Sequence, residues 1–540
     1  MSSVASARVG PPSDTSERAT GAPLGCPRPR ALAAVVIATT LLAVALRLYG
    51  LSRPGFLLGI NEYDEGTDFG SAIRLAHGAL PYRDFIMVHP PGITLLMYPV
   101  ALATNAIGTD AGLAVARVLT ALASAAAVPL AGLLTRRRGL FAVLVTCGVL
   151  AIFPDSILAA RTVLLEPWLV LFCLLGALAL FDGDQVARST RRLVLAGTLF
   201  GFAGAVKVWA ILPVVVILVL TARRPRQAAV FAAGVATGFC VPVLPFALSS
   251  PVTFYRSVIV AQLFRNDIVR ITQGYRLQQL FGLTHIPQPT TLALVIAGIA
   301  IVLIIAALTV LGSRLAGGPP PALDWFATGT CALVAVAFLW PADFYYHYAA
   351  FFAPFLALVL ALPASRLLVA LRAVLPTVGV RARLMWLPRA MTTIAAAVIV
   401  VLAGSQVINE ARSYTSVPPT EIAAVKRLIP PGACVATDQA SYTIAIDRFV
   451  STVPRCSLMI DGIGIAYALS HGRNPRTGAG GSPAVEAAWM SAFRAATYVW
   501  LTLDANRRIP WTPRLTAYFN SHFVPLTEGP DWLYIRSEPH

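Results

Sequence analysis

Asn61-Glu62-Tyr63-Asp64-Glu65-Gly66 sets three carboxylates within four residues, and Asp68, Asp84 and the turn His89-Pro90-Pro91-Gly92 follow closely. A carboxylate near apolar surroundings and beside other acids holds its proton more tightly, which suits it to take a proton from a hydroxyl or amine as that group attacks. Asp64 and Glu65 are the candidates for that work. Glu166 sits a short way into a later apolar run, followed by Pro167 and Trp168. Lys207 interrupts another run, and Phe344-Tyr345-Tyr346-His347-Tyr348 opens a third. An ionisable side chain inside an apolar span is costly and is a functional candidate by default. An interfacial aromatic belt accounts for the tyrosines of 344–348, but not for His347. Arg265 and Arg270 lie in a second polar stretch, 249–290. With His89, Lys207 and His347 they are the candidates for holding a phosphate, since guanidinium and ammonium groups bind phosphate oxygens by charge-assisted hydrogen bonds.

The elements that position these groups are membrane helices. The chain has 540 residues, is 57% hydrophobic and 12% charged, and has a mean hydropathy of +0.72; soluble domains carry roughly 25% charged residues. The sequence reads as a polytopic α-helical membrane protein with eleven spans at about 31–50, 113–135, 139–157, 163–182, 193–206, 209–222, 228–248, 291–312, 326–341, 345–363 and 390–408. The fifth and sixth form a short hairpin with Lys207 at its tip, because a 14-residue helix reaches about 21 Å against a hydrocarbon core of about 30 Å. Arginine clusters at 136–138, 188–192, 223–226 and 366–389 all fall on one side of this arrangement. By the positive-inside rule that side is the cytoplasm. The acidic stretch 51–112 is then extracytoplasmic, segment 91–107 lies at the outer interface, and the chain is a multi-pass protein of the plasma (inner) membrane with its C-terminus outside. The +17 net charge reflects these cytoplasmic arginines, and no basic-aromatic module for nucleic acid is present.

Residues 1–30 are expected to be a disordered cytoplasmic N-terminus and 31–410 the membrane domain. Residues 413–540, where polar residues, Gly and Pro rise, are expected to form a small extracytoplasmic α/β domain. In that domain 421–429 has helical spacing, and 433–437, 497–503 and 532–535 read as strands. Cys434 and Cys456 both fall in this exported part, where an oxidising compartment allows them to pair.

Taken together, Tyr63-Asp64-Glu65-Gly66, Ala79-Leu80-Pro81-Tyr82-Arg83-Asp84 and His89-Pro90-Pro91-Gly92 resemble the GT-C superfamily of membrane glycosyltransferases. The branch they are most similar to is the protein O-mannosyltransferase and lipid A aminoarabinose transferase type. The resemblance covers roughly 35–410. It implies a polyprenyl-phosphate sugar donor, a lipid, glycan or protein acceptor, and inverting transfer on the extracytoplasmic side. It implies that the Asp64-Glu65 pair holds the active-site acid, with Asp64 as the base, and that a second acid comes from the next outer loop, Glu166 in preference to Asp155. His89 stands where some relatives place a lysine. No cluster of acids has metal-ligand spacing, so no cofactor is expected, a divalent cation being the one alternative. The competing function is a transporter or flippase of lipid-linked glycans. That class is built from repeated halves with paired broken helices, whereas this sequence offers one broken pair and no repeat.

Overall fold

The computed structural model of the chain describes residues 29–265, 271–284, 290–340, 344–374, 386–415, 417–473, 479–526, 530 and 532–537. Nearly all of the expected N-terminal tail, and Arg270, lie outside them.

The membrane part is a helical bundle. In chain order its first helices are α1 (Pro29–Ser52), α2 (Tyr63–Ala76), α3 (Gly92–Ile107), α4 (Thr109–Thr135), α5 (Leu140–Ile152), α6 (Pro154–Ala159), α7 (Leu165–Leu180), α8 (Thr190–Val206), α9 (Ile211–Thr221) and α10 (Pro225–Ser249). The helices Thr291–Leu315, Ala322–Leu339, Tyr348–Val374 and Leu387–Arg412 follow. Each of the eleven expected spans coincides with a helix. Seven helices among the described residues are long and apolar enough to cross a membrane, while α3, α5, α7 and the segment Val208–Thr221 are apolar but shorter. Breaks explain the short ones. Pro154 starts a new turn after α5, and Lys207 adopts an extended backbone between α8 and the turn that leads into α9. These breaks place non-helical backbone inside the bundle, which is tolerated where protein or a polar cavity satisfies it.

The acidic stretch is more ordered than a loop. Glu62 caps α2, and Glu65 completes a capping box by accepting the Glu62 amide at 3.3 Å. Reciprocal caps of this kind satisfy amides that would otherwise lack partners. The apolar side of α2, Phe69 and Ile73, joins the main core together with Ile444, Phe449 and Ile460 from the C-terminal part. Contact there is so close that a Cβ on Gly66 would come 2.1 Å from the Ser441 amide nitrogen, so only glycine fits.

The C-terminal α/β part contains a four-stranded sheet. Val435–Thr437 runs parallel to Tyr498–Trp500, Leu533–Arg536 pairs antiparallel on its other side, and Phe523–Pro525 forms the far edge. The edge strand Phe523–Pro525 was not expected from the sequence, because three residues containing a proline carry no alternating pattern. Helices Pro419–Leu428, Pro483–Ala495 and Pro513–His522 accompany the sheet, and Cys434 is disulfide-bonded to Cys456. Polar contacts reinforce the docking onto the bundle: Lys426 pairs with Asp110 at 2.5 Å, and the Thr109 amide donates to Asp447 at 2.7 Å.

Candidate active site

A cavity of about 200 Å³ lies where α2, the turn at His89, the start of α7, the α8–α9 break, residues 345–348 and the C-terminal part meet. Each element delivers a side chain for a local reason. Asp64 and Asp68 are one helical turn apart and share a face of α2. The Pro90-Pro91-Gly92 turn fixes His89. A Cβ on Gly92 would stand 2.5 Å from the Ala205 backbone, so the turn packs directly on the end of α8 beside Lys207. Glu166 lies in the first turn of α7, and Lys207 projects from the break it creates.

Four of these groups stand in a line. Lys207 Nζ is 2.5 Å from Glu166 Oε1, Glu166 Oε2 is 2.9 Å from His347 Nδ1, and His347 Nε2 is 3.6 Å from Asp64 Oδ2. The 2.9 Å approach is poorly aligned, and neither Glu166 Oε2 nor His347 Nδ1 has a hydrogen-bond partner. Lys207 also lies over the rings of Trp209 at 4.4 Å and Tyr348 at 4.5 Å, and aromatic faces attract a cation most where water is excluded. Asp64 is the open end of the line, with a side chain 42% exposed, whereas Glu166 is fully buried.

Around the line the surroundings bias protonation. Burial, and then the nearby positive charges of Lys207 and Arg265, hold the His89 imidazole well below its ordinary pKa, so it is neutral. Burial, and then Asp64, push the Glu62 carboxyl up, while Tyr346 donates to Glu62 Oε2 at 3.1 Å. Arg265 completes the positive wall and lies 4.8 Å from the Tyr467 ring.

Asp64, Glu166, His89, Lys207, Arg265 and His347 are thus brought to one cavity. Glu65 is not. Its neighbouring position on α2 turns it about 100° away into a fully buried pair with Arg117, 2.5 Å apart. There it also accepts from the Asn61 amide at 3.0 Å and from the Thr162 hydroxyl, so of the two candidate acids of the pair Asp64 lines the cavity and Glu65 does not. Asp155 is likewise remote, with Thr284 Oγ1 3.3 Å away. Among the described residues no group of three His, Cys, Asp or Glu side chains is arranged to hold a metal ion.

The cavity also has a wall that the sequence did not lead us to expect. Asp461, Ile463 and Arg508 of the C-terminal part line it. Asp461 Oδ1 accepts from the Tyr63 hydroxyl at 2.8 Å and from the Gly464 amide at 2.6 Å. Arg508 lies 4.4 Å from the Tyr63 ring and donates to Asp438 at 3.0 Å and Gln439 at 2.8 Å. The one sequence signal was Asp461-Gly462, a helix N-cap pattern, which gives no hint of a partner nearly four hundred positions away.

Residues 87–341 match the model of glycosyltransferase family 87, a match that begins after Asp64. No curated protein matches the chain. Two crystal structures of ArnT from Cupriavidus metallidurans, one bound to undecaprenyl phosphate and one in the apo state, resemble it with TM-scores of 0.54 and 0.53. Each is 14% identical, and each comparison covers 94% of this chain and 98% of that one. Archaeal oligosaccharyltransferase AglB from Archaeoglobus fulgidus, in complex with an inhibitory peptide and a dolichol-phosphate, is 14% identical over 94% of this chain and 74% of that one, with a TM-score of 0.47. Across the centre of the chain this protein is thus similar to glycosyltransferase family 87, and from end to end it shares the fold of ArnT.

Proposed function

We propose that the protein moves a sugar from a polyprenyl-phosphate donor to an acceptor hydroxyl or amine on the extracytoplasmic face of a bacterial plasma membrane, with inversion at the sugar carbon. The observation that carries this reading is the single cavity in which a half-exposed carboxylate, Asp64, faces the cations Lys207 and Arg265. The phosphate of the donor is held by Lys207 and Arg265, with His347 and the neutral His89 as hydrogen-bonding neighbours. Asp64 takes the proton of the acceptor as its oxygen or nitrogen bonds to the anomeric carbon. The bond from that carbon to the phosphate oxygen breaks, its electron pair stays on oxygen, and polyprenyl phosphate leaves. A phosphate is already a good leaving group, so no acid is needed on that side. Glu166, between Lys207 and His347, is the positioning residue that fixes both.

The arginine-rich turns on the opposite side support an N-terminus in the cytoplasm. With 31–410 as the membrane domain and 413–540 outside, the C-terminal part covers the site. The similar fold of ArnT, crystallised with undecaprenyl phosphate bound, supports the donor class. Mannose, arabinose and related sugars are all compatible donors, and the acceptor is a lipid, glycan or protein. The test supplies purified protein with radiolabelled undecaprenyl-phosphate sugars and follows donor consumption. Release of undecaprenyl phosphate by the parent chain and its loss in Asp64→Asn are expected. A parent chain that neither binds nor consumes any of these lipids overturns the reading.

A further inference from the structure

Asp68 is left out of the line from Lys207 to Asp64, yet it lines the same cavity. It is 1% exposed, and its Oδ2 is buried without a hydrogen-bond partner. Buried polar atoms are nearly always paired, and a carboxyl atom that is not asks for a reason. Packing does not supply one. Phe69 and Ile73 of the same helix make the apolar contacts, and Glu65 makes the ionic one. Asp68 instead stands one turn beyond Asp64 on the cavity side.

We propose that Asp68 binds the lipid-linked sugar by donating a hydrogen bond from its carboxylic acid to an oxygen of that donor. This deepens the transferase reading and rests on it. Three features favour donation over ion pairing. The cavity cations already have acidic or aromatic partners: Lys207 is paired with Glu166 and Arg265 lies over Tyr467. Burial, followed by the negative charges of Asp64 and Glu166, pushes the Asp68 carboxyl well above the usual carboxylate range, and Lys207 opposes them only in part. A substrate rich in oxygen acceptors is what a neutral acid can recognise, since an ionised carboxylate accepts only. Two oxygens fit this chemistry, a hydroxyl of the sugar and a non-bridging phosphate oxygen.

The experiment uses the full chain in nanodiscs and titrates three probes: undecaprenyl-phosphate mannose, undecaprenyl-phosphate arabinose and undecaprenyl phosphate without a sugar. Asp68→Ala is expected to weaken binding of a sugar-bearing lipid tenfold or more, and Asp68→Asn, which keeps a donor without a charge, to recover most of that loss. If Asp68→Ala weakens the bare lipid equally, the contact is to phosphate; if the bare lipid is unaffected, it is to the sugar. Equal binding by parent and Asp68→Ala overturns the proposal, as does an Asp68→Asn chain as weak as Asp68→Ala. Infrared difference spectra of the parent chain read the same contact without a substitution that could disturb folding. A carboxylic acid band that shifts when donor is added, and that is missing in Asp68→Asn, supports it; a band that does not move refutes it. A parent chain that binds none of the three lipids overturns the transferase reading itself, whereas donor binding that ignores Asp68 overturns this inference alone.

Discussion

Two buried ion pairs of the bundle, Glu65–Arg117 and Glu166–Lys207, have the same 2.5 Å separation and almost no exposure. They differ in what else each carboxylate meets. Glu65 accepts two bonds from Arg117 as well as the Asn61 and Glu62 amides and the Thr162 hydroxyl. Arg117 spends its remaining donors on the carbonyls of Phe56, Leu57 and Gly59. Every capacity of that pair is used inside the protein, and it clasps the entry to α2. Glu166 binds Lys207 through one oxygen, while the other faces His347 without an aligned hydrogen bond. Its ammonium partner also lines a cavity. A saturated pair holds structure; an unsaturated pair beside a cavity has interactions left for a ligand.

The largest effect expected is at the open end of the unsaturated pair. Asp64→Asn removes the proposed base and should lower turnover by about 10²–10⁴-fold with an unchanged melting temperature; a variant that turns over normally breaks the proposed chemistry. Next comes the division between the pairs. Arg117→Met leaves Glu65 buried and unpaired and should cost about 3–5 kcal/mol of stability, with turnover per folded molecule retained. Lys207→Met should cost stability similarly but also remove donor binding. The double change Glu166→Gln with Lys207→Met should restore stability without restoring turnover, and thermal melts alongside donor consumption read both. Recovery of activity in the double variant would erase the distinction between the two pairs.

Smaller effects sharpen the contrast at the edges. Cys434 and Cys456 are 22 positions apart, and closing such a loop is worth about 2–4 kcal/mol. Replacing both with serine should lower the unfolding temperature of the C-terminal part before that of the bundle, as followed by limited proteolysis. The smallest effect concerns Asp68. Its folded pKa lies above the ordinary aspartate value of 3.8, so the fold binds that proton more tightly than the unfolded chain does. Its contribution to stability is therefore most favourable at pH values below 3.8 and is lost as pH rises through the folded pKa. Asp68→Asn cannot ionise and should be more heat-resistant than the parent at about pH 8, with the difference shrinking as pH falls toward about 4. A pH-independent difference would mean that Asp68 is ionised throughout.

The bundle helices were legible because spans are runs of one composition, and lipid forces backbone bonds to close within each helix. The break at Lys207 was legible for the same reason, since flanking arginines and two short runs left no other arrangement. The distinct roles of Asp64 and Glu65 were not. Adjacent acids are equivalent in a string of letters, and only the helix starting at Tyr63 rotates one toward the cavity and the other toward Arg117. Asp68 was visible as an acid but not as an unpartnered one.

The amino-acid sequence alone determined that this chain lives in a membrane, that its acids gather near α2, and that the basic side chains and histidines offered as phosphate ligands are scattered from His89 to His347. Those are consequences of composition and of hydrophobic run length, which act locally. Tertiary structure decided which charges meet. Asp461 reaches Tyr63 across 398 positions, and Arg508 from still further along the chain, because the C-terminal part docks on α2 through Ile444, Phe449 and Ile460. Such contacts depend on burial shared between distant segments, and no local pattern encodes a partner that only the folded chain brings within bonding distance.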